Sequence, residues 1–149
     1  MEIEQEKPGV YPRALAVINA NGDGRAEALV RLGGGADNDQ LTMVIVTDSR
    51  IGEVRVKGGD PFHFRVGGSF LVGSGAECSN QPGRAPRFLV LSASSEDGKR
   101  FTWTERSFVW NGTEVVPQGG RKGVLTYQGD DDPRLHRFWR LKCGDVVIG

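Results

Sequence analysis

The residues with the clearest chemistry lie in Ile18-Asn19-Ala20-Asn21-Gly22-Asp23-Gly24-Arg25-Ala26-Glu27, between two apolar runs. Oxygen donors recur there at alternate positions: the side chains of Asn19, Asn21 and Asp23, the backbone carbonyl of Arg25, then the Glu27 carboxylate. Calcium takes about six to eight oxygens at once, from carboxylates, amides and carbonyls, and a tight loop presents them in this rhythm. Gly22 and Gly24 supply the positive φ angles that such a turn needs. An EF-hand also requires a glutamate at its twelfth position, which counted from Asn19 is Val30, so an EF-hand and its flanking helices are disfavoured. Of the donor groups, only the Asp23 and Glu27 side chains carry negative charge. The expectation is one weakly held calcium ion, suited to extracellular calcium.

The elements that must position this loop are Ala14-Leu15-Ala16-Val17-Ile18 before it and Ala28-Leu29-Val30-Arg31-Leu32 after it. Both runs are short, aliphatic and bounded by turn formers, which reads as two strands. Asn-Gly and Asp-Gly are also strong hairpin dipeptides, so a plain hairpin turn is the competing reading of the same residues.

The run Val17 to Leu32 resembles the FG-GAP/VCBS repeat of integrin-α-like propeller blades and of many secreted bacterial proteins, which reads strand, D-x-[DN]-G-D-G-x-x-[DE], strand. Asn21, Asp23 and Glu27 match that pattern, Asn19 stands where Asp is usual, and the Phe-Gly and Gly-Ala-Pro signatures are absent. Ser107 to Val116, with Trp110-Asn111-Gly112, resembles the closing W-[DN]-G-x-x-[FV] hairpin of similar secreted actinobacterial domains. The resemblance implies a calcium-binding, non-catalytic β module.

The 149 residues suit a single domain with its own core, over 10–149, after a flexible tail at 1–9. Lys plus Arg equals Asp plus Glu at nineteen each, which argues against a nucleic-acid partner and against general attraction to anionic membranes. No apolar run reaches the length of a membrane span. The acidic start, Met1 to Gly9, lacks the apolar core of a signal peptide. It reads either as a trimmed start whose signal or anchor was removed or as a native cytosolic one. The 22 glycines fall in clusters, as many tight turns between short strands would require. Ten to twelve short, mainly antiparallel strands are expected at intervals of about ten residues, giving an all-β sandwich, barrel or partial propeller.

Cys78 and Cys143 are the only cysteines. Exported, they would pair across a loop of about 65 residues; in a reducing cytosol they would be two separate buried thiols. The polar surroundings of Cys78 favour the disulfide, and with it an extracytoplasmic location. Residues 74–86 read as a polar loop, and Phe70-Leu71-Val72 as a short core segment. In Phe101 to Trp110 the aromatic phase shifts near Arg106-Ser107, which predicts a bulge there. Gly119, Gly120 and Gly123 punctuate the chain before a strand at Val124 to Tyr127.

Trp103 and Trp110 suggest a ligand-stacking platform or, more simply, ordinary sheet residues. Trp139 lies in the basic stretch Arg134 to Lys142, which reads as a strand or one short helical turn and suits either an anionic sugar or phosphate, or plain solvation. His63 has no partner at metal-ligand spacing. Asp37 and Asp39 read as solvated acids. The Asp130-Asp131-Asp132 turn reads as a plain acidic turn, or as a second cation site. No G-x-S-x-G, H-E-x-x-H or C-x-x-C is present. The main expectation is therefore an extracytoplasmic module that meets a protein or a glycan. The alternatives are a small secreted hydrolase-like enzyme using acids such as Asp130 or Asp132, and a sensor or accessory domain of a larger exported protein.

Overall fold

A computed structural model describes residues 12–129 and 132–149. The expected tail at 1–9, together with Asp130 and Asp131, lies outside the described residues.

Among the described residues, twelve strands and one helical turn follow one another. The first half contains β1 (Arg13–Ile18), β2 (Glu27–Gly34), β3 (Asn38–Thr47), β4 (Arg50–Glu53), β5 (Arg55–Val56) and β6 (His63–Gly68). The second half contains β7 (Val72–Ser79), β8 (Arg87–Ser94), β9 (Arg100–Asn111), β10 (Glu114–Thr126), α1 (Pro133–His136), β11 (Leu141–Cys143) and β12 (Val146–Ile148). The fold is all-β, as the period-two patterning predicts.

All twelve strands belong to one sheet, whose main path runs β1-β2-β3-β6-β7-β8-β9-β10-β5. Most neighbours are antiparallel; β5 with β10 and β11 with β7 are parallel. β4 pairs with β3, and β5 pairs with β10. Only Val54 separates β4 from β5, so the sheet curls until its two parts are one residue apart along the chain, without a continuous ladder closing it. Val54 is buried; its N–H donates to Met43 O and its carbonyl accepts from Phe62 N.

Alternation along the strands sends side chains to two cores. The larger gathers Leu29, Leu41, Met43, Phe62, Phe64, Phe88, Phe108 and Leu141. Its phenylalanines meet at tilted or edge-on angles, with Phe62 and Phe108 ring centres 4.8 Å apart. The smaller core lies on the other face of β8 and β9, where Leu91, Ala93 and Phe101 are covered by Leu135 and Phe138 from α1 and the segment after it.

Four sequence expectations change here. The stretch read as a loop from 74 begins as strand β7. Its Gly73 and Gly75 lie flat beneath residues 137–140, where a Cβ on Gly75 would stand 2.2 Å from Arg137 O. Glycine in this strand marks close backbone approach rather than a turn. Phe70, Leu71 and Val72 are not core: Phe70 is 72% exposed. The bulge predicted in β9 sits instead in β10, where the register shifts between Pro117 and Gly120. β9 keeps strict alternation, and its aromatics change phase because Phe101 and Trp103 serve the smaller core while Phe108 and Trp110 serve the larger. Finally, Gly119, Gly120 and Gly123 lie inside β10, which runs unbroken from Glu114 to Thr126.

The Trp110-Asn111-Gly112 hairpin agrees with the sequence. β9 and β10 pair at Asn111–Glu114 across Gly112-Thr113. The Asp97 carboxylate accepts from Lys99 N and Arg100 N in the turn between β8 and β9.

Candidate functional site

The β1–β2 hairpin pairs Ile18 with Glu27, which leaves residues 19–26 as its loop. Gly22 and Gly24 take φ values of 71° and 82°, the left-handed conformation their positions require. Asp23 N donates to Asn21 Oδ1 at 3.0 Å, Arg25 N donates to Asp23 Oδ1 at 2.7 Å, and Asn21 Nδ2 donates to Asp23 Oδ2 at 3.0 Å. Two successive side chains thus fold the loop on itself.

Glu27 is 1% exposed, and its Oε2 accepts from Ala20 N at 2.7 Å. Burial pushes its carboxyl above the ordinary carboxylate range; the negative charge of Asp23 pushes the same way, against the Ala20 hydrogen bond. The hairpin therefore holds Asn21 and Asp23 in its loop and Glu27 at the loop's closing end, with Asn19 before them and Arg25 between Asp23 and Glu27. Asn19 O receives a contact from Asn80 Nδ2 at 3.4 Å, which ties the loop to the end of β7. The donor set suits a hard cation, since an ionised carboxylate offers more lone pairs than the one or two hydrogen bonds use. Among the described residues no group of three or more His, Cys, Asp and Glu comes together. The loop has two such side chains, and its other oxygens are amide and backbone.

The remaining candidates disperse. Asp39 lies near the start of β3, opposite Gly34 at the end of β2 away from the loop, and pairs with Arg31 at 2.6 Å. His63 is exposed and meets Glu53 at 2.8 Å. Trp103 packs on the smaller core and Trp110 on the larger, so the structure does not bring these two together. Trp139 packs edge-on against Phe101, with ring centres 5.7 Å apart, and donates through Nε1 to Ser69 O. Asp132 caps α1: its carboxylate accepts from Arg134 N and from the Arg134 guanidinium, which holds its carboxyl at about 2. Such a group serves as a cap, not as a proton donor near neutral pH.

Cys78 and Cys143 form a disulfide joining β7 to β11. As the sequence reading anticipated, the two cysteines pair, and no free thiol remains among the described residues. No described helix is long and apolar enough to cross a membrane.

One constellation was not foreseen. Glu105, in β9, is buried on the same face as Phe101 and Trp103. Its carboxylate accepts two hydrogen bonds from Arg121 at 2.9 and 3.0 Å and one from Arg137 at 3.1 Å. Arg137 also makes a two-pronged pair with Glu77 at 3.1 and 2.8 Å. Beside this network lies a groove of about 420 Å³, floored by Leu89, Glu105 and Ser107 and rimmed by Arg84, Arg87 and Arg121. A signal for it does exist in the sequence: strict alternation from Phe101 places a charged Glu105 on a covered face, where it needs cationic partners. No protein family matches the chain, and neither a curated protein nor a solved structure matches it at a significant level.

Proposed function

We propose that the chain is a non-catalytic, extracytoplasmic β module that meets a protein or glycan partner and holds one calcium ion weakly in its β1–β2 loop as a stiffening element. The observation that carries this reading is the Glu27 carboxylate, buried at the loop's end within the field of Asp23. The charges of these two acids repel, and a divalent cation bound by both would turn the repulsion into attraction. The resemblance of Val17 to Leu32 to the FG-GAP/VCBS repeat supports the same assignment, and the disulfide supports an oxidising compartment. Calcium here joins the two ends of a hairpin loop, so its role is rigidity rather than chemistry.

Calorimetric and thermal-melt titration with calcium tests the loop, on the wild type and on Asp23→Ala. At free calcium about tenfold above Kd the wild type gains about 1.4 kcal/mol, seen as a rise in melting temperature. The variant shows neither heat nor rise. No response from the wild type at roughly 10 mM calcium, well above the weak extracellular range, sinks the assignment. So does an equal response from the variant.

A further inference from the structure

We propose that the groove beside Glu105 binds an oxyanion-bearing sugar, of the uronate or sulfated type. The proposal rests on the binding-module reading above and names the class of its partner; it does not need the calcium ion.

The first observation is charge. Arg84 and Arg87 are exposed on the groove's rim and join no ion pair among the described residues. Glu105 does not oppose an incoming anion, because Arg121 and Arg137 already flank its carboxylate. Glu77 is likewise held by Arg137. Four arginines against two glutamates leave two positive charges at this place, on a chain whose overall formal charge is zero. The attraction is local, not a general basic field. Arginine's planar fork suits carboxylate and sulfate oxygens.

The second observation is an unspent hydroxyl. Ser107 is 8% exposed, and its Oγ has no hydrogen-bond partner, although it lies in the groove floor opposite Leu89 in the β8–β9 ladder. A buried polar atom without a partner costs stability unless something satisfies it. Ser107 lines the groove, and a small opening of the floor would let a ligand hydroxyl or oxyanion reach its Oγ.

The third observation is the kind of lining. Ser79, Gln81 and Gln118 add hydroxyl and amide groups around the arginines. They donate and accept, whereas a bare oxyanion only accepts. Hydroxyls beside an anionic group match that mixture. The volume falls within the roughly 300–1,000 Å³ range of small-molecule sites. Asn80, between Ser79 and Gln81, is also the residue that touches Asn19 and Gly22, so the groove's end abuts the β1–β2 loop.

The test is calorimetry at low ionic strength, in chelator, on the intact chain. The probes are a uronate disaccharide, a sulfated disaccharide, a neutral disaccharide, inorganic sulfate and a glutamate-rich peptide. At least one acidic disaccharide is expected to bind ten or more times tighter than the neutral one and than sulfate. The double variant Arg84→Ala with Arg87→Ala, both exposed and in no ion pair among the described residues, is expected to weaken that binding at least tenfold without moving the melting temperature. Ser107→Ala is expected to weaken it about threefold or more.

Four results overturn the proposal: no binding of either acidic disaccharide, equal binding of the neutral one, sulfate or the peptide binding as tightly as the sugars, or variants that bind like wild type. Because the titration is run without calcium, it reads the groove alone. Failure of the loop shows separately, in the calcium titration.

Discussion

Cys78 and Cys143 continue the parallel register that pairs Ala76 with Leu141 and Glu77 with Lys142, and their Cα atoms stand 4.7 Å apart. The bond locks a three-residue strand, which on its own has little hold, onto β7. It closes a loop with a sequence separation of 65, worth about 4 kcal/mol in the chain-entropy account. Reduction, or Cys78→Ala with Cys143→Ala, is expected to lower unfolding stability by about that amount. Urea unfolding with and without reductant measures it. A midpoint unchanged by reductant, with alkylation confirming both free thiols, contradicts the expectation.

A second prediction concerns Gly75, which carries residues 137–140 directly on its backbone. A methyl group there would stand 2.2 Å from Arg137 O and 2.8 Å from Arg140 O, and neither is the end of a flexible side chain. Gly75→Ala is expected to destabilise the fold by about 1–3 kcal/mol, the ordinary cost of overpacking. It should also lift Trp139 toward water and red-shift its fluorescence. Gly35→Ala is the control, because nothing lies within 4 Å of a Cβ at that position. Its stability is expected to stay within about 0.5 kcal/mol of wild type. Equal melting temperatures for the two variants would contradict the packing argument.

These two sites mark where the sequence is legible and where it is not. The β1–β2 loop can be read locally, because turn glycines and alternating oxygens carry their own chemistry within ten residues. The cysteines can be read as a pair from composition and surroundings, though not as a bridge between strands. β7 escapes local reading: Gly73-Ser74-Gly75 looks like a turn until a segment more than sixty residues later is laid over it. The phase change in β9 reads as a bulge because the sequence does not announce that one strand serves two cores. The groove is the hardest case. Arg84, Arg87 and Arg121 are ordinary surface arginines in sequence, and only the β8–β9–β10 ladder makes them neighbours of Ser107.

The last prediction follows from Glu27, whose carboxyl is raised by burial first, and by Asp23 with it. Between the ordinary carboxylate value and this raised one, the folded state holds a proton that the unfolded chain has lost. Calcium-free stability therefore falls as pH rises through that window, and the loss is complete above the folded value. Asp97, held at about 2 mainly by Arg100 N and Lys99 N, acts in the opposite sense, as does Asp132, held at about 2 mainly by the Arg134 side chain. Their contribution is present above their ordinary value and lost as pH falls toward about 2. Urea midpoints between about pH 2 and pH 8 should trace both limbs. Glu27→Gln is expected to flatten the upper limb and leave the acid limb as it was. Calcium should reverse the upper limb in the wild type, since the ion binds the ionised carboxylate and competes with its proton. If Glu27→Gln keeps the wild-type slope above the ordinary carboxylate value, the buried carboxylate is not the group that sets it.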